Sequence, residues 1–164
     1  TDIRIPSSIT HIRSNAFANC SSLEIIEIPS SVIFIGEYAF CQCTSLRKLK
    51  IPSSIISISE GVFCECTSLK TFEIPASVTN IEESAFIGCS LLLEIKIPPS
   101  VTYIGENAFA ECSSLKTLKI PKSVKYIGEN AFSDCSSLLC MEIPSDINID
   151  IIGIDSQVKI KKIL

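Results

Sequence analysis

The sequence predicts an α/β solenoid: right-handed, with parallel strands on its concave face and short helical turns and irregular segments elsewhere. Three observations carry this. Seven prolines, Pro6, Pro29, Pro52, Pro75, Pro98, Pro121 and Pro144, recur every 23 residues. Aligned on them, the apolar residues fall into rows that repeat at the same offsets. Within a unit, Leu115-Lys116-Thr117-Leu118-Lys119-Ile120 alternates apolar and polar residues, which is strand periodicity. A 23-residue unit is too short to close a core alone, but stacked coils place each apolar position over its own copy and turn each row into a buried ladder.

Each element of the unit follows from its residues. An Ile precedes each of these seven prolines, from Ile5 to Ile143, and Ile or Val follows three residues later, from Ile9 to Ile147. Next come an Ile row from Ile12 to Ile127, a Phe row from Phe17 to Phe132, a Cys row from Cys20 to Cys135 and a Leu row from Leu23 to Leu138. Period and Leu spacing together are the signature of a leucine-rich solenoid. In the strand, Leu118 and Ile120 point inward and Thr117 and Lys119 outward, and Pro121 ends it because it cannot donate the next ladder hydrogen bond. In Glu106-Asn107-Ala108-Phe109-Ala110-Glu111-Cys112, Phe and Cys stand three apart behind an acidic residue, which predicts one short helical turn. Val101 and Ile104 both face inward, with an irregular extended stretch between them. Strands stacked in parallel imply a right-handed crossover.

Residues 1–164 therefore read as a single leucine-rich-repeat solenoid domain, with six full repeats over 5–142 and a degenerate C-terminal cap over 143–164. After Pro144 there is no Ala-Phe-x-x-Cys, and a further strand is expected near Val158–Lys162. At the other end, Asp2-Ile3-Arg4-Ile5 already resembles a repeat strand, as if earlier repeats preceded it. The composition, 46% apolar and 20% charged, excludes a disordered chain. A net charge of -4 argues against nucleic acid, whose phosphates require a basic face. No apolar stretch approaches a membrane span, so no membrane insertion is expected in this segment. No secretory signal is expected at Thr1 either.

On these residues the chain resembles the BspA-like leucine-rich repeats, built on Ile-Pro-x-Ser-Val-x-x-Ile-x-x-x-Ala-Phe-x-x-Cys-x-Ser-Leu. The stretch IPPSVTYIGENAFAECSSLKTLK, residues 97–119, matches almost throughout. Departures are mild: Val62 replaces the Ala, Leu91 the Ser, and Ser59 and Glu82 the Gly found at Gly36, Gly105 and Gly128. The resemblance implies a curved, non-enzymatic solenoid from a group common on bacterial and protozoan cell surfaces as adhesins or antigens. It thus implies a cell-surface or secreted address, with a cytoplasmic one still open, and it transfers no catalytic residue.

Stacking also turns outward positions into rows. One strand row runs Arg4, Glu27, Lys50, Glu73, Lys96, Lys119, Glu142, and its companion Asp2, Ile25, Lys48, Thr71, Glu94, Thr117, Cys140. Opposite charges adjacent nearly everywhere would form a self-neutralising ladder, each pair contributing roughly 0.2–1 kcal/mol. The same face also suits recognition of a mixed-charge protein partner, and the two readings are compatible. The row Glu37, Glu60, Glu83, Glu106, Glu129 suits helix-leading positions. A line of single carboxylates does not converge as calcium requires. Tyr103 and Tyr126 are expected side by side and facing outward, either anchoring an interface or packing over the solenoid edge.

Six of the nine cysteines belong to the repeat row and read as small buried hydrophobes in reduced form. Cys41 and Cys64, also 23 apart, are placed to meet across neighbouring coils. The Cys-x-Cys pairs they form with Cys43 and Cys66 point in opposite directions, against tetrahedral zinc. Cys140 stands alone on the strand face as a candidate reactive thiol. The odd total favours a reducing compartment, against the surface address implied by the resemblance. Asn19-Cys20-Ser21 fits a glycosylation acceptor pattern, which chance explains better.

The chain has one histidine, His11, no residue set for nucleophilic catalysis and no glycine-rich phosphate loop, so neither an enzyme nor a cofactor is expected. The leading expectation is a protein-binding module, for a host or matrix protein, acting through the concave strand face. Its candidate residues are Lys48, Lys50, Thr71, Glu73, Glu94, Lys96, Thr117, Lys119 and Glu142, with Tyr103 and Tyr126. The alternatives are an intracellular scaffold or spacer, and self-association through the N-terminal coil.

Overall fold

The computed structural model describes residues 1–163. Its short strands form two rows. Three-residue strands that extend the apolar-polar alternation before each proline make the first row: β1 (Asp2–Arg4), β3 (Ile25–Glu27), β5 (Lys48–Lys50), β7 (Thr71–Glu73), β9 (Glu94–Lys96) and β11 (Thr117–Lys119). The longer β13 (Cys140–Pro144) and β14 (Lys159–Ile163) complete it. Two-residue strands ending on the Ile row make the second: β2 (His11–Ile12), β4 (Phe34–Ile35), β6 (Ser57–Ile58), β8 (Asn80–Ile81), β10 (Tyr103–Ile104) and β12 (Tyr126–Ile127). Every pairing is parallel and joins equivalent positions of successive coils, as in Ile3↔Ile26, Leu118↔Met141 and Ile104↔Ile127. The last pairing, Met141↔Ile160, joins a shorter coil, and its strand lies where the sequence predicts.

The core is the set of stacked rows. Phe40, Phe63, Phe86, Phe109 and Phe132 are fully buried, and Phe86 lies parallel to Phe109 with ring centroids 5.3 Å apart. Each such ring contributes about 1.5–3 kcal/mol by leaving water. In the first coil Phe17 and Cys20 are only partly buried, and Ile9, expected inside, is 38% exposed.

No helix forms among the described residues; the predicted helical turns are instead tandem β-turns. In the first coil Ala16 N–H donates to Arg13 and Cys20 N–H to Phe17, each closing a four-residue turn. The third residues of these turns, Asn15 and Asn19, have φ of 60° and 61°. A positive φ at that position defines a type II turn and stops a helix from propagating. Equivalent residues follow in every coil through Asn130 and Asp134. The alternate N–H groups that this geometry turns outward donate to the next coil, as Phe40 does to Val62 and Phe86 to Ala108. The turns are thereby a third hydrogen-bonded ladder.

The ladders are not uniform. Between the second and third coils neither β4 and β6 nor β5 and β7 pair, although the turn ladder continues there through Tyr38, Phe40 and Gln42. The Ile35 carbonyl takes the Ser59 hydroxyl, whereas Gly36, Glu82, Gly105 and Gly128 donate their backbone N–H to the coil before. Coil three is also bulkier, with Val62 in the Ala row and Phe72 in the row otherwise filled by Ile, Leu and Met. A void of about 10 Å³ lies at this junction, lined by Ile35, Ser59, Val62 and Phe63 among others. β9 and β11 do not pair with each other either.

Candidate functional site

The alternation of the first row fixes its surface. Phe72, Ile95 and Leu118 face in, while Thr71, Glu73, Glu94, Lys96, Thr117 and Lys119 are exposed. These six side chains, with Pro99 and Pro121, rim a hollow of about 770 Å³ floored by Phe72, Ile95 and Ile97. Lys48 and Lys50 stand apart from it, on a second hollow of about 520 Å³ with Ile25 and Glu27. Glu142 lies further along, 3.2 Å from Lys119 Nζ and 2.5 Å from Lys161 Nζ. Hydrogen bonds from both ammonium groups hold its carboxyl below the usual glutamate range.

The expected charge ladder is only partly built. Within the row, Arg4–Glu27 at 2.9 Å and Lys119–Glu142 are ion pairs, while Lys50, Glu73 and Lys96 make none among the described residues. Long exposed side chains gain too little from pairing to fix their geometry, and the Lys50–Glu73 step crosses the unpaired β5–β7 junction.

Tyr103 and Tyr126 do stack, with centroids 5.2 Å apart and planes 7° off parallel. They sit on β10 and β12 in the second row, so the fold does not bring them to the hollow. Desolvation, followed by the neighbouring Tyr126, raises the Tyr103 hydroxyl. The glutamate row has no helix to lead. The Glu60 carboxylate accepts a hydrogen bond from Tyr38, which with burial pushes that phenol up to about 12. Among the described residues no three His, Cys, Asp or Glu side chains come together to hold a metal.

The cysteine row does more than fill space. Cys43, Cys66, Cys89, Cys112 and Cys135 each donate Sγ–H to the carbonyl of a Phe one coil back, at 3.1–3.4 Å. Burial pushes Cys43 up to about 11 and Cys135 up to about 12, so these thiols are poor nucleophiles. Cys41 and Cys64 form a disulfide, Cα atoms 4.6 Å apart, against the reducing inclination of the cysteine count. It joins the two coils whose strand ladders are interrupted. Cys140 is free and half-buried. Asn19 is exposed, but the acceptor pattern there arises from an αL position that favours Asn followed by the Ser/Thr of the repeat.

The sequence model for the BspA-type leucine-rich repeat region matches residues 1–98 and 91–156, with six copies. The chain belongs to this family. The BspA-type chain is similar to a leucine-rich cell surface protein of Faecalibacterium prausnitzii, at 37% identity and TM-score 0.75, over 86% of this chain and 38% of that one. A leucine-rich repeat protein of Treponema pallidum is 32% identical, TM-score 0.56, over 87% and 58%. One from Bacteroides ovatus is 26% identical, TM-score 0.67, over 98% and 51%. The chain thus spans between about two fifths and three fifths of these structures. No curated protein matches it significantly. The family is a repeat scaffold, and no helix of the described residues is long and apolar enough to cross a membrane.

Proposed function

We propose that the chain is a protein-docking module acting through the first-row strand face, with residues 143–164 closing a single solenoid unit. The observation that carries this reading is the hollow rimmed by Thr71, Glu73, Glu94, Lys96, Thr117 and Lys119. Side chains fixed on stacked strands present an extended, pre-organised surface, which is how solenoids bind. Tyr103 and Tyr126 would serve a separate contact on the second row. The similarity to a protein described as a leucine-rich cell surface protein supports a surface address, where the partner of this face would be a host or matrix protein.

The test is a pull-down from matrix extract comparing the wild-type chain with Lys50→Glu/Lys96→Glu/Lys119→Glu. The charge-reversed chain is expected to lose the captured proteins while keeping its melting temperature. Unchanged capture would remove this face as the docking surface.

A further inference from the structure

Immediately before the strands of the second to sixth coils, at the bend where the chain enters the first row, lies a line of residues outside the hollow: Arg47, Lys70, Leu93, Lys116 and Leu139, all exposed, while the same position before β3 is the partly buried Glu24. Leu93 N–H donates to the Lys70 carbonyl at 3.0 Å and Leu139 N–H to the Lys116 carbonyl at 2.9 Å, so cation and leucine are neighbours across successive coils. Leu93 is 45% and Leu139 64% exposed. Arg47, Lys70 and Lys116 make no side-chain hydrogen bond or ion pair among the described residues. Isolated exposed leucines need no explanation, but two at one repeat position, each beside an unpaired lysine, form an amphipathic stripe.

Charge is segregated around the coil. Segments 36–43, 59–66, 82–89, 105–112 and 128–135, which form the turns from the second coil on, hold nine of the 18 acidic residues and none of the 14 basic ones, while the first coil's turns, 13–20, hold Arg13 as their one charged residue. From the second coil on, the strand segments 47–50, 70–73, 93–96, 116–119 and 139–142 hold seven basic residues against three acidic, whereas 1–4 and 24–27 hold one basic against three acidic, so the basic strand surface begins at Arg47. The overall charge of -4 conceals this. An acidic partner is repelled from the turns and drawn to the strand side, where the stripe offers apolar purchase between its cations.

We infer that this rim stripe docks an extended acidic polypeptide segment carrying interspersed large apolar side chains. The inference rests on the reading that partners dock on the strand side, and it replaces the mixed-charge partner by an acidic one. The exposed Glu73 and Glu94 beside the stripe favour a narrow peptide over a broad anionic bilayer.

The test measures binding of the full chain to a labelled Glu-Leu copolymer peptide, a matched Lys-Leu peptide, and vesicles of phosphatidylserine and phosphatidylcholine. The Glu-Leu peptide is expected to bind, more weakly as salt rises, and the Lys-Leu peptide not to bind. Lys70→Glu/Lys116→Glu and Leu93→Ser/Leu139→Ser should each weaken binding roughly tenfold. Should a charge reversal lower the melting temperature, Lys70→Gln/Lys116→Gln replaces it. Equal binding of both peptides, preference for vesicles, or no loss in either rim variant overturns the inference. Loss confined to Lys50→Glu/Lys96→Glu overturns the rim and leaves the strand-face reading standing. Loss confined to the rim variants supports the rim and places the contact on the strand side outside the hollow.

Discussion

The Sγ of Cys66 lies 3.2 Å from the carbonyl oxygen of Phe40, one coil back, and the same thiol-to-carbonyl bond recurs through Cys135 and Phe109. The row is thus both a packing element and a chain of weak donors tying each coil to its predecessor. Replacing Cys66 by Ala opens a cavity and removes one of the two donors to the Phe40 carbonyl, which keeps the Cys43 N–H, with an expected cost of about 1–3 kcal/mol. Cys66→Ser keeps a donor and should cost less than Ala. Urea unfolding of the two variants checks this; equal losses would mean that packing alone explains the row.

The Cys41–Cys64 disulfide lies on the turn side of the junction whose strand ladders are broken. Cross-linking a loop of this length restricts the unfolded chain by about 3 kcal/mol. Thermal unfolding with and without dithiothreitol should show a large fall in melting temperature for the wild type and none for Cys41→Ser/Cys64→Ser. Amide exchange should be faster at Ile56 and Ser59 than at Thr79 and Glu82, whose N–H groups bond to the preceding coil.

Tyr38 gives a pH signature. Its phenol is held up at about 12 by its hydrogen bond to Glu60 and by burial, against 10.0 for an ordinary tyrosine. Above pH 10 the unfolded chain loses this proton before the folded one does. The stabilisation is therefore complete below that pH and is lost as pH rises toward 12. Ultraviolet titration of the phenolate should show a late-ionising tyrosine that disappears in Tyr38→Phe.

Gly128 packs against the backbone of Glu106 so closely that a Cβ would collide with it. Gly128→Ser should force the backbone of Glu106 to shift and lower stability by about 1–3 kcal/mol. Chemical denaturation measures the loss, and exchange at Ile127 reports the opened ladder.

Much of this was legible in residue spacing. The rows of Ile, Phe, Cys and Leu specify which side chains stack, and the alternation around Leu118 locates the strands. The turn was misread because Ala-Phe-x-x-Cys suits a helical turn and a pair of β-turns equally. The deciding signal was a neighbouring row: Asn15, Gly61, Asn107 and Asn130, with Asn19, Gly88 and Asp134, residues that tolerate a positive φ. The charge rows were overread, since adjacency in a ladder does not hold flexible Lys and Glu tips together. Tyr103 and Tyr126 stand beside one another, as the 23-residue spacing expects, on the second row and away from the hollow.

The most direct measurement is a nuclear Overhauser contact between the rings of Phe86 and Phe109, 23 residues apart, in the isotopically labelled full chain. Stacked coils in register expect a strong cross-peak, with centroids 5.3 Å apart, and companion contacts between Thr117 and Cys140. If the Phe86 and Phe109 rings show no contact while both are buried, the coils do not stack in register, and the exposed rows built on that stacking do not exist.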